Sequence, residues 1–517
     1  MQDSHNSNNK RIAKNTLVLY VRMLFLMAIS LYTSRVILDA LGIEDFGVYN
    51  VVGGFVALFG VLSKSLSTAA SRFLNFEMGT GNMERLRRIF STTLIIQALL
   101  ALIIIILAEI VGLWFLNYKM VIPTERLYAA NWVFQFSVLT FCLNLLTVPY
   151  NAAIIAHEKM SVFAYVSIYD GIARLLVCYL IIISPYDRLV SYAFFMTLIP
   201  LSVMMIYIWY CKNKFYECEF RLVWDNNLLK EIFGFASWNV IGASSAILRN
   251  QGGNILINLF CGPVVNAARA IANQVLSAVH SFVNSFMTAL KPQITQSYAR
   301  GDRDYMKTLL FQGSRLSYYM LLVLYLPILF SADYLLHIWL KNVPDHSVSF
   351  VQLTLVFSMI ESISTPLITA QLATGKVRNY QIIVGGLQIL NVPISYVFLR
   401  LGGPPETILY VAIFISVCCL FARLFMLNKY ALLRVGDFVI SVLVNAAIVS
   451  VASVVIPLLI KIVIINNFTF VSFVFLTIVC LLSSFFSILF VGCNHTERQF
   501  VYSKVMTIKS YLLKFRK

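Results

Sequence analysis

The chain has 517 residues, 59% of them hydrophobic and only 12% charged, against roughly 25% charge in soluble proteins, which excludes a water-soluble globular domain. A net charge of +17 would suit a nucleic-acid binder. The bases, however, sit between apolar runs of about 20 residues, which argues against nucleic acid and for an all-α polytopic membrane protein.

Fourteen transmembrane helices are predicted, at 15–39, 46–77, 87–114, 127–149, 161–183, 189–210, 230–259, 267–297, 313–332, 347–373, 379–399, 406–427, 437–460 and 468–492. They divide the chain into an N-terminal tail (1–14), a first lobe (15–210, spans 1–6), a linker (211–229), a second lobe (230–427, spans 7–12), an extra pair of spans (428–492) and a basic tail (493–517). Of the 40 Lys and Arg, about 26 fall on one side and about 6 on the other. That bias places both termini in the cytoplasm. Segment 40–45, with Glu44 and Asp45 and no base, reads as outside; segment 84–88, with Arg85, Arg87 and Arg88, reads as inside.

The scaffold is written twice. PYNAAIIAHEKM (149–160) aligns without gaps to PLITAQLATGKV (366–377), matching Pro149 to Pro366, Ala153 to Ala370, Ala156 to Ala373 and Lys159 to Lys376. Upstream, Gly42 pairs with Gly262, Thr68–Ala69 with Thr288–Ala289, Gly81 with Gly301 and Arg87 with Lys307. Six spans separate the copies, so they are parallel repeats, an arrangement found in transporters with a site at the repeat interface.

Spans 2 and 8 are longer than the roughly 30 Å hydrocarbon core needs and carry polar groups such as Asn50, Lys64, Asn273, His280 and Asn284. Polar membrane helices line water or protein, so spans 1, 2, 7 and 8 are expected to wall a cavity. Prolines at 149, 200, 327, 366, 393 and 457 fall within or at the ends of spans, where they can kink a helix.

Five cations lie in apolar stretches: Arg22, Arg35, Lys64, Arg249 and Arg269. Each costs roughly 3 kcal/mol at a helix centre unless it faces water or a partner. They are the candidate substrate-binding residues, for an anionic cargo. Arg35 with Asp39, and Asp170 with Arg174, are spaced i, i+4 and can also satisfy each other. Arg22 can instead snorkel to the inner interface, as Arg72 and Arg423 are expected to do, and Arg269 can meet headgroups at the outer mouth. Asp39, Asp170 and Glu361 are the ion-coupling candidates, since coupling sites are usually intramembrane carboxylates; Glu361 is equally readable as a hydrogen-bonded structural group.

Nine scattered cysteines give neither a CxxC pair nor a Cys/His metal spacing, so no disulfide, metal or cofactor is expected. The tail 498–517 combines bases with Phe500, Tyr502 and Leu512 and reads as an interfacial helix on the anionic leaflet. No paired-carboxylate, metal or nucleophile constellation points to an enzyme.

The runs TSRVILDALGIEDFGVYNVVGG (33–54), PYNAAIIAHEKM (149–160) and KPQITQSYARGD (291–302) resemble bacterial polysaccharide exporters of the Wzx flippase type, in the superfamily of multidrug, oligosaccharidyl-lipid and polysaccharide exporters. The resemblance covers about residues 10–430. It implies two six-helix lobes in a V shape, and an undecaprenyl-pyrophosphate-linked oligosaccharide moved between leaflets of the bacterial inner membrane for O-antigen or capsule synthesis. It leaves room for proton or sodium coupling and for contact with glycan polymerase machinery. Spans 13 and 14 resemble the extra pair of fourteen-helix members, where such a pair helps form a groove for the lipid tail. A multidrug extruder of the same fold is the nearest alternative, disfavoured by the positive cavity; a membrane glycan polymerase or ligase is a further one.

Overall fold

The computed structural model describes residues 2–57, 59–118, 122, 124–219, 225–339, 343–430, 433–463, 469–494 and 497–499. The interfacial helix expected at 498–517 lies almost wholly outside them. Every long element is helical: α1 Gln2–Ala57, α2 Gly60–Thr80, α3 Met83–Tyr118, α4 Thr124–Ala156, α5 Met160–Ile183, α6 Arg188–Lys214, α7 Asn226–Ala299, α8 Arg303–Trp339, α9 Ser347–Ala373, α10 Arg378–Arg400, α11 Thr407–Lys429, α12 Val435–Val463 and α13 Phe470–Gly492. Ten of these, α3–α6 and α8–α13, are long and apolar enough to cross a membrane, and each overlaps one predicted span.

The remaining four predicted spans lie in α1, α2 and α7, whose lengths are 56, 21 and 74 residues. A straight helix of 74 residues would be about 110 Å long. The contacts show that α7 doubles back instead. Arg249 lies over the ring of Phe357, while His280 is hydrogen-bonded to the adjacent Ser358. Arg269 reaches the carbonyl of Asn250 at 3.3 Å. At the open end, Phe235 packs on Phe73 and Tyr298 on Phe76.

The same reasoning applies to α1. Leu19 packs with Met160 at the start of α5, and Ile37 with Cys178 and Ile181 near its end. Val48, Val52 and Val56 then pack with Ala101, Ile104 and Ala108, towards the far half of α3. Phe73 and Leu74, in α2, pack with Leu86 and Ile89 near its start. Alternate helices of an up-down bundle run parallel, so the chain has reversed between 41 and 48, where an outer loop is predicted. Arg126 bridges Asp45 and Asp187 there, at 2.6 Å each, and Arg188 donates to the carbonyl of Ala40.

The repeat reappears in the backbone. Gly81 and Gly301 both adopt left-handed φ, 77° and 76°. Each is followed by a residue whose side chain accepts from the amide three positions on: Asn82 from Arg85, and Asp302 from Tyr305. The aligned helices α4 and α9 end on the aligned residues Ala156 and Ala373. Two residues later both copies again turn left-handed, with Gly375 (φ 73°) in one and Glu158 (φ 55°) in the other.

The structure forms two compact units: Met1–Ser245 with Thr288–Met306 and Thr369–Ile382, and Ala246–Met287 with Lys307–Ile368 and Ile383–Lys517. In the first, the repeat-equivalent carbonyls are both capped by side chains, Ala156 by Gln296 (2.8 Å) and Ala373 by Arg72 (3.3 Å). Arg72 therefore does not snorkel; it stacks over Phe73 and Phe76. In the second, α12 and α13 pack on α8 through Leu326, Leu476 and Cys480 and through a Tyr318–Ser450 hydrogen bond of 2.7 Å. The kink expected at Pro327 appears at Ser331, which leaves helical geometry and donates back to the Pro327 carbonyl at 2.5 Å.

Candidate functional site

The described candidates other than Lys64 fall into two polar clusters, one in each unit. In the first unit, Arg22 is half-buried, with its guanidinium 4.4 Å from the centre of the Phe163 ring. It borders a cavity of about 250 Å³ lined also by Asn144, Asn151, Ser167, Asp170 and Tyr207. Snorkelling is thus not its role: a protein ring faces the charge, and Arg22 Nε is buried without a hydrogen-bond partner. Asp170 gives both carboxylate oxygens to Arg174, at 2.8 and 3.1 Å. The i, i+4 pair anticipated from spacing is therefore formed.

The second cluster is built from three helices of the second unit. Arg249 and Arg269 come from the two arms of α7, Glu361 from α9 and Arg423 from α11. Glu361 accepts from Ser416 Oγ at 2.5 Å and lies within electrostatic reach of Arg423, Arg249 and His280. Arg269 lies in turn within reach of Arg249. Arg269 is only 7% exposed; it packs beneath Asn250 and Gly253, where even a methyl group on the glycine would collide with the guanidinium. The expectation that it meets lipid headgroups fails, because the first arm of α7, at Asn250 and Gly253, covers it.

Arg423 is the residue that sequence reasoning misplaced. Its nearness to a span end suggested snorkelling, yet it is 1% exposed and is among the largest fully buried side chains. Burial of an unneutralised guanidinium is prohibitive, and the Glu361 carboxylate is the charge it faces. The cluster thus holds three guanidiniums and one carboxylate, an excess of positive charge whatever the state of His280.

Lys64 joins neither cluster. Its side chain is exposed, and Lys291 is within its electrostatic reach. The side chains of Arg35 and Asp39 lie outside the described residues.

Residues 12–298, more than half of the chain, match the family described as polysaccharide biosynthesis protein. The chain belongs to the polysaccharide biosynthesis protein family. Residues 249–397 also match the MatE family. The uncharacterized membrane protein EpsK of Bacillus subtilis is 21% identical over 286 residues, covering 54% of this chain; the match spans 56% of that relative's own length. Among solved structures, a MATE protein in the straight conformation superposes with a TM-score of 0.70 at 13% identity, covering 82% of this chain and 97% of that one. An outward-facing multidrug resistance MATE transporter of the MOP superfamily gives 0.70 at 12% identity over 82% and 97%. A MOP transporter from Pyrococcus furiosus, reported with a binding pocket of reverse polarity that suggests a different function, gives 0.67 at 12% identity over 83% and 96%. This polysaccharide biosynthesis family member is therefore a multi-pass membrane protein whose fold is that of the MATE structures on which it superposes.

Proposed function

We propose that this protein is a flippase that carries an undecaprenyl-pyrophosphate-linked oligosaccharide from the inner to the outer leaflet of a bacterial inner membrane, with both termini in the cytoplasm. The observation that carries this reading is the excess of guanidiniums over carboxylates among the described residues of this cluster, with Arg249 and Arg423 beside Glu361 and the buried Arg269 beside Arg249. Guanidinium groups bind phosphate oxygens through paired N–H donors, and a pyrophosphate is the part of such a cargo that hydrocarbon rejects most strongly. A multidrug extruder of organic cations would be repelled by the same cluster. Reverse polarity is said to suggest a different function for the Pyrococcus furiosus relative, and the guanidinium excess here points the same way. Glu361 and Asp170 are each held by a base in this reading. An ion-coupling role for either then requires that base to move during the cycle. Lys64, exposed in the conformation described, would meet cargo only as it enters or leaves.

The test is export in a flippase-deficient strain. Arg249→Ala, in protein that still inserts and accumulates normally, is expected to cut surface glycan several-fold and to leave lipid-linked intermediates on the cytoplasmic face. Lys64→Ala is expected to have a weaker effect. Full complementation by Arg249→Ala overturns the assignment.

A further inference from the structure

Five polar residues of α4, Ser137, Thr140, Asn144, Thr147 and Asn151, recur at spacings of three and four and so share one helix face. This face borders two adjoining cavities inside the first unit, of about 250 and 210 Å³, and Asn144 lines both. With a rise of 1.5 Å per residue, the face runs for about 21 Å. Asn151 Oδ1 and, across the first cavity, Arg22 Nε are buried without partners. Asp170, on the same cavity, is already engaged by Arg174 through both oxygens.

Buried polar groups without partners call for a ligand or water that completes them. A lipid tail cannot, and would leave the amides unsatisfied at a cost of about 1–3 kcal/mol each. Phosphate oxygens only accept, whereas a row of amides and hydroxyls both donates and accepts. The matching chemistry is another row of groups that do both, which is what sugar hydroxyls are.

We propose that this face of α4 is a binding track for the oligosaccharide part of the cargo, with Arg22 at one end placed for an acidic substituent. The track rests on the flippase reading but is distinct from the cluster around Glu361, which takes the pyrophosphate.

Two probes separate them on the full-length protein in nanodiscs: the oligosaccharide released by mild acid from the lipid-linked pool of the source cells, and inorganic pyrophosphate. Asn144→Leu is expected to weaken oligosaccharide binding at least tenfold and leave pyrophosphate binding unchanged. Thr140→Val, which keeps the side-chain volume but gives up the hydrogen bond to Thr197 Oγ1 at 2.9 Å, is expected to weaken oligosaccharide binding several-fold, with unchanged pyrophosphate binding as the check that the fold is intact. Arg249→Ala is expected to do the reverse, losing pyrophosphate and keeping the oligosaccharide. Unchanged oligosaccharide affinity in both α4 variants, or no oligosaccharide binding by the wild-type protein, overturns the track. Loss of oligosaccharide in Asn144→Leu together with pyrophosphate binding indifferent to Arg249→Ala sustains the track and overturns the headgroup assignment.

Discussion

Glu158 occupies a left-handed backbone position that the second repeat gives to Gly375. For a residue with a Cβ that conformation costs roughly 1–2 kcal/mol. Its carboxylate, 3% exposed, meets Arg11 Nε at 2.8 Å and accepts from the buried amide of Gln293. Replacing Glu158 by alanine keeps the strain and strands Gln293, for a loss of about 1–3 kcal/mol. Replacing it by glycine strands Gln293 equally but removes the strain. Set against that gain is the entropy that glycine adds to the unfolded chain, about 0.4–1 kcal/mol. The two variants should therefore both be less stable than wild type, with Glu158→Gly the better by about 1 kcal/mol, against the usual ranking of these substitutions. Thermal unfolding in detergent, followed by size-exclusion fluorescence, reads the order directly. If Glu158→Ala melts with or above Glu158→Gly, the left-handed strain is not stored at this residue.

Three further outcomes follow from the same geometry. Burial pushes the Glu158 carboxyl above its ordinary range, and Arg11, Gln293 and Arg300 offset this only in part. A raised carboxyl binds its proton more tightly in the folded state, so its contribution to stability is present at low pH and lost as pH rises through the folded-state value. Glu158→Gln should therefore flatten the melting temperature between the ordinary carboxylate range and neutrality; an unchanged pH profile would refute this. Gly81→Ala and Gly301→Ala have no neighbour that a methyl group would strike, so each should cost only the backbone term of about 1–2 kcal/mol, and unequal costs would break the equivalence of the repeats. Arg423→Met should destabilise by less than the roughly 3–5 kcal/mol of an uncompensated buried charge, because Glu361 keeps Arg249, His280 and Ser416 Oγ, and adding Glu361→Gln should recover part of that loss; additive costs would show that the two charges do not meet.

The parts of this protein that were legible in the sequence are those set by one helix at a time. The span expected at 347–373 is Ser347–Ala373 in the structure, and that at 379–399 is Arg378–Arg400, because long apolar windows bounded by polar residues admit few alternatives. Gly81 and Gly301 marked the repeat because a left-handed stop constrains residue type locally. The clusters were less legible, because a charge's role depends on what another helix presents to it. Arg423 and Glu361 lie on different helices, and depth alone made the first look like a snorkeler. Arg269 looked exposed because its position at a span end says nothing of the first arm of α7, which covers it. The polar face of α4 is the instructive case, since its spacing was readable from the start. A stripe of Ser, Thr and Asn in an apolar span is weak evidence, for each hydroxyl can bond its own backbone, as Thr147 does to the Leu143 carbonyl at 2.7 Å. An asparagine amide cannot satisfy all of its donors and acceptors that way. The amides at 144 and 151, seven residues apart and thus two turns along one face, were the signal that this stripe has something to bind.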